Sequence, residues 1–121
     1  MAITEDLVKE CKSKLVKAKA EILNRVQEAR QHFDNDDKGG DEGDQTVRVL
    51  AEAEFLSMNE RMRFQLLEIE SALGRIENGT FGVCEETEEK IEVERLRAIP
   101  WTRLSIEGAE IRESMNKKYA R

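Results

Sequence analysis

The sequence predicts a mainly α protein: a long antiparallel two-helix coiled-coil hairpin on a small globular base with a C-terminal helix. Three observations predict it. Charged residues make up 38% of the 121 and hydrophobic ones only 39%, against roughly 25% charged in an ordinary globular chain. That balance suits long solvated helices better than a deep interior. Two long stretches place apolar side chains at steps of three and four, the seam of a coiled coil, and an acidic stretch with glycines separates them. A single proline and six aromatics (Phe33, Phe55, Phe64, Phe81, Trp101 and Tyr119) speak against a β-sandwich or barrel.

The first helix is expected from Thr4, whose hydroxyl can cap it, with Glu5 and Asp6 favourable at the positive end of the helix dipole. Its seam is Val8, Cys11, Leu15, Ala18, Ile22, Val26, Ala29 and Phe33. The spacing is near-heptad with one four-residue stutter. A loop is expected over 34–46, where six acidic residues and one lysine form the densest charge in the chain. The second helix is expected from about Asp44 to Asn78. Its seam is Val47, Ala51, Phe55, Met58, Met62, Leu66, Ile69, Leu73 and Ile76, and Gly79 is placed to end it in the left-handed conformation. Helices of similar length joined by a short loop bury their seams most simply against each other.

Residues 1–78 therefore read as the hairpin and 79–108 as the globular region, with a C-terminal helix filling the final 109–121 segment from about Ile106 to Tyr119. Phe81, Val83, Ile91, Leu96, Ile99, Trp101, Leu104 and Ile106 are the candidates for a small core.

Several classes are excluded. No apolar run reaches the roughly 18 to 20 residues of a membrane span, and the charged start MAITEDLVKECKSK has no apolar segment of a signal peptide. Two cysteines, Cys11 and Cys84, are too few for a disulfide framework and are expected reduced, in the cytoplasm. A net charge of −6 argues against sequence-specific DNA binding, which leans on phosphate neutralisation. A calcium loop starting at Asp34 fails, because Lys38 and Gln45 stand where oxygen ligands are needed. No nucleophile triad, P-loop or paired-carboxylate motif appears, so the chain is not expected to be an enzyme. His32, Met58 and Met62 read as ordinary helix residues. The basic tail of Arg112, Lys117, Lys118 and Arg121 reads as a solvated helix end.

Two runs carry more specific information. Residues 75–86 read R-I-E-N-G-T-F-G-V-C-E-E, and residues 95–101 read R-L-R-A-I-P-W. In combination they strongly resemble the DksA/TraR family of bacterial transcription regulators, which pair an acidic-tipped coiled-coil hairpin with a small four-cysteine zinc finger. The resemblance spans hairpin, finger region and C-terminal helix. It places the four finger positions at Cys84, Thr87, Ser105 and Gly108, so three of the four thiolates are missing. Zinc needs four soft or imidazole donors, which hydroxyls replace poorly. A finger-shaped fold without metal is therefore expected, with the apolar cluster and docking of the C-terminal helix supplying the folding free energy that metal otherwise gives. Cys84 is then either a small leftover residue or a thiol redox sensor.

The family carries D-x-x-D-x-A where the hairpin turns into its second helix. Here the matching run puts aspartates at Asp41 and Asp44, and Thr46 at the alanine position. The resemblance implies RNA polymerase as partner, with the tip entering its secondary channel to modulate initiation as a monomer and with no cofactor of its own. In the family the nucleotide ppGpp can act jointly with regulator and polymerase. Taken without the resemblance, Asp44 is equally an ordinary helix cap. The alternative from another class is a coiled-coil interaction or scaffold protein, self-associating through an exposed seam and without effect on polymerase.

Overall fold

The computed structural model describes residues 3–36 and 42–119, the side chains of 35, 36, 42–44 and 119 excepted. Four helices follow in order: α1 (Glu5–Asp36), α2 (Glu42–Asn78), α3 (Val93–Ala98) and α4 (Ile106–Tyr119). The long pair α1 and α2 is the expected hairpin, and its capping is local chemistry. The Leu7 amide donates to Thr4 Oγ1 at 3.2 Å, satisfying one of the four free N–H groups of a helix start. At the end of α2, Gly79 takes φ 77°. Its amide donates to Ile76 O at 3.3 Å while the Thr80 amide donates to Arg75 O at 2.9 Å. That pair of bonds is a Schellman motif.

The helices are longer at the turn than the sequence reading expects. α1 continues to Asp36 and α2 begins at Glu42, so both ends of the 34–46 stretch are helical. No glycine or proline occurs before Gly39 to stop α1, and acidic residues stabilise the first turn of α2.

The chain divides into two compact units, one of residues 1–17 with 68–121 and one of residues 18–67. In the second unit Ile22 is buried and Val26, Ala29, Phe33, Phe55, Met58, Met62 and Leu66 are partly buried, as the two seams require. Phe33 and Phe55 stack with ring centroids 4.7 Å apart. Val47 and Ala51, expected in the seam, are exposed. Ala51 lines a groove with Ala29, Phe33 and Phe55, at the edge of the seam and not inside it.

In the first unit the core is Leu7, Cys11, Phe81, Cys84, Ile91 and Leu96, with Ile3, Val8, Ile76, Val93 and Leu104 packed against it. Three expected core residues are corrected: Val83 is 43% exposed, Trp101 38% and Ile106 50%. Val83 forms an isolated antiparallel bridge with Lys90, and in extended backbone neighbours point to opposite faces. Cys84 points in, so Val83 points out. Leu7 and Cys11 from α1 complete the core instead. Leu7 rather than Val8 leads the buried row, continued at steps of four by Cys11 and Leu15. The six-residue α3 lies in a segment expected to be turn-rich, and its Leu96 is fully buried. No helix among the described residues is long and apolar enough to cross a membrane.

Candidate functional site

Two places carry the residues singled out by sequence. At the hairpin turn, Asp41 and the side chain of Asp44 lie outside the described residues. The backbone of Asp44 belongs to the first turn of α2, and Thr46 is exposed on the same helix.

In the 79–108 region the structure brings Cys84, Thr87, Ser105 and Gly108 together. The turn after Cys84 closes through the Glu88 amide, which donates to Cys84 O at 2.9 Å, with Glu88 itself in the left-handed region at φ 62°. That turn lets the Thr87 amide donate to Cys84 Sγ at 3.5 Å. Ser105 immediately precedes α4 and caps it, accepting the Gly108 amide on its hydroxyl oxygen at 3.0 Å. The same hydroxyl donates to Cys84 Sγ at 3.4 Å. α4 begins at Ile106, so the fourth position, Gly108, lies inside that helix rather than before it. A Cβ at Gly108 would overlap the Cys84 sulfur; only glycine lets the helix backbone lie so close.

Burial pushes the Cys84 thiol up, and hydrogen bonds from Ser105 and Thr87 outweigh it, leaving the thiol at about 6. Cys11 behaves in the opposite way. Burial, followed by the nearby Glu10 charge, raises its thiol, which donates to Leu96 O at 3.5 Å.

These four positions do not fit a four-cysteine zinc site. They supply one thiol, two hydroxyls and no side chain at all, and a tetrahedral zinc site takes thiolates or imidazoles. The one sulfur is already occupied by two donors, and the Gly108 backbone fills the space beside it. Among the described residues no group of three or more His, Cys, Asp or Glu side chains could hold a metal ion.

An ionic framework surrounds this polar core, and sequence reasoning missed it. Arg103 donates from Nε to both oxygens of Glu68, at 3.2 and 3.0 Å, from Nη1 to Glu85 at 3.0 Å and from Nη2 to Ser71 at 3.0 Å. Arg75 donates to Ser71 at 2.9 Å and to the carbonyls of Trp101 and Thr102, both at 3.3 Å. Arg112, read from sequence as part of a solvated tail, instead pairs with Glu86 at 3.0 Å and Glu85 at 3.4 Å. Burial raises the Glu85 carboxyl, and the guanidiniums of Arg103 and Arg112 overcome that and hold it below its usual range. The charge pattern alone does not pair residues so far apart, but the Ser105 cap was within reach. A serine directly before an expected helix is a standard start signal.

A helical hairpin whose base closes on four finger positions, one of them still a cysteine, defines a zinc-finger-type regulator fold. Residues 79–114 match the prokaryotic dksA/traR C4-type zinc finger family. The chain is 35% identical over 103 residues to the RNA polymerase-binding transcription factor DksA of Caulobacter vibrioides, covering 84% of this chain and 72% of that protein. It is also 35% identical over 112 residues to an uncharacterized protein of Aquifex aeolicus, covering 89% and 77% respectively. The structure of transcription factor DksA2 from Pseudomonas aeruginosa superposes with a TM-score of 0.88 at 27% identity, over 95% of this chain and 89% of that one. The chain belongs to the DksA/TraR family.

Proposed function

We propose that this protein binds RNA polymerase and modulates transcription initiation, with its acidic hairpin tip entering the secondary channel and without a structural zinc. The observation that carries the polymerase reading is the 35% identity to a polymerase-binding DksA across 84% of the chain. The tip assignment rests on the aspartates at 41 and 44, in the positions where the family motif has them. The carboxylates perform no bond chemistry there. They act as fixed negative charge on basic side chains, bound metal or mobile elements near the polymerase centre, so the protein is a regulator and not an enzyme.

The experiment is binding of the full chain to core RNA polymerase, with promoter transcription measured with and without ppGpp. Binding with an altered transcript yield is expected. Asp44→Asn should keep binding and helicity and lose most of the effect on yield. Absence of binding overturns the reading and leaves the interaction-protein alternative. Normal regulation by Asp44→Asn overturns the tip assignment alone.

The metal-free reading is supported by the donor set of Cys84, Thr87, Ser105 and Gly108. Structural zinc contributes folding free energy outright. Here a chelator should leave the melting temperature unchanged, and one equivalent of zinc should not raise it. A fall in melting temperature with chelator, reversed by zinc, would show that the site is metallated after all.

A further inference from the structure

α4 is fastened to the base at its start and little beyond. The Ile106 amide donates to both carboxylate oxygens of Glu92, at 3.2 Å each, and the Ser105 hydroxyl donates to the Cys84 sulfur. Gly108 follows with its bare backbone, placed where a Cβ would meet that sulfur and the Glu86 Cβ. Positions 105, 108 and 112 share one face of the helix. The next anchor on that face is Arg112, paired with Glu86 at 3.0 Å and with Glu85 at 3.4 Å. From Glu113 to Lys118 every side chain is exposed.

A cysteine at 108 would tie this helix to a metal by a coordination bond. Glycine leaves only contact between backbone and one sulfur, and a contact without interlocking side chains lets a helix rock. The carboxylate side of the Arg112 pairs is fixed more firmly. The Glu85 amide donates to Arg103 O at 2.9 Å, and Arg103 Nη1 donates to the Glu85 carboxylate at 3.0 Å. Side-chain exposure is 41% for Arg112, 38% for Glu85 and 26% for Glu86, so water and salt reach the pairs. Pairs so accessible favour the closed arrangement only a few-fold. We propose that α4 is a lever: it rocks on Gly108 against Cys84, and the pairs of Arg112 with Glu85 and Glu86 latch it in one direction. Ionic strength therefore sets where its outer half points. At about 1.5 Å per residue the end of α4 lies about 16 Å past Gly108, so rocking by about 20° moves it about 6 Å. The device stands whether or not the chain binds polymerase.

The test is nuclear magnetic resonance on the full chain, comparing residual dipolar couplings of residues 109–115 with those of α3 and of residues 69–76. Salt is set at about 10 mM and about 1 M, where the screening length is about 30 Å and about 3 Å. At low salt one alignment should fit all three segments. At high salt the squared order parameter of 109–115 should fall from about 0.85 toward 0.6, with helical carbon shifts retained and the other segments unchanged. Arg112→Ala should show the high-salt behaviour already at low salt, and Arg112→Lys should lie between, since an ammonium cannot reproduce the fork of a guanidinium. The swap Glu86→Arg with Arg112→Glu should restore most of the order, which no general loss of stability would do. Couplings that respond neither to salt nor to Arg112→Ala overturn the proposal, because packing at Gly108 then holds the helix. Loss of helical shifts together with order overturns it equally, because α4 then frays instead of rocking.

Discussion

A thiol enclosed by protein ordinarily titrates above its value in water, because burial disfavours the thiolate. Cys84, only 1% exposed, departs from this through the donors aimed at its sulfur by Ser105 and Thr87. The consequence for stability has a definite sign. The thiol titrates at about 6 in the folded chain against an ordinary 9.0. Above the ordinary value both states are deprotonated and the full contribution is present. As pH falls from 9 toward 6 the unfolded chain takes up the proton first, so the contribution declines by about 1.4 kcal/mol per pH unit and is gone below the folded value. Urea unfolding at several pH values from 6 to 9, comparing the protein with Cys84→Ser, isolates this from every other titrating group. The stability advantage of the cysteine should grow as pH rises. A difference that stays flat across that range would mean the sulfur is held as a neutral thiol.

Between elements, Arg103 does the joining. Its guanidinium ties Glu68 and Ser71 of α2 to Glu85 beside the finger turn, and hydrogen bonds to Glu68 hold its own proton more firmly than usual. At 33% side-chain exposure the network is partly screened, so Arg103→Ala should cost about 1 kcal/mol, at the upper end for accessible ion pairs. Arg103→Lys should recover less than half, because a point charge cannot replace a planar fork. Thermal unfolding in low and high salt checks this: the gap to the parent protein should narrow as salt rises, and a gap independent of salt would assign the loss to packing. Such a residue is invisible in sequence because its partners lie 35 and 18 positions away. The helices, by contrast, were legible, since periodicity and the Thr4 and Gly79 caps are local signals. Val47 and Ala51 were misplaced because apolar periodicity marks a face of a helix and not how far along it that face stays covered. The meeting of Cys84 with Thr87, Ser105 and Gly108 was legible only through the family resemblance, as spacing alone does not mark three non-cysteine positions. Ser105's double role as helix cap and donor to sulfur appears only in three dimensions.

Across the whole molecule, buried apolar matter is unevenly shared. Of the ten buried hydrophobic residues among those described, only Ile22 falls within 18–67, and the other nine belong to the unit formed by the two chain ends. Opening free energies follow local burial more than helix propensity, because helices within a folded protein gain most of their stability from packing. A single helix, α1, passes through both regimes. Leu7, Cys11 and Leu15 are all buried in its first third, while Val26, Ala29 and Phe33 further on are only partly so. Native-state hydrogen exchange should therefore show a gradient along α1. Amides near 11–15 should exchange only through opening of the base, and those near 26–33 at least tenfold faster, equivalent to about 1.4 kcal/mol less opening free energy. The corresponding step in α2 should fall between its early turns and Ile69. This contrast suits the proposed role, in which the hairpin end engages a partner while the base stays fixed. Uniform protection from Leu7 to Phe33 would mean that the hairpin folds as one cooperative unit with the base.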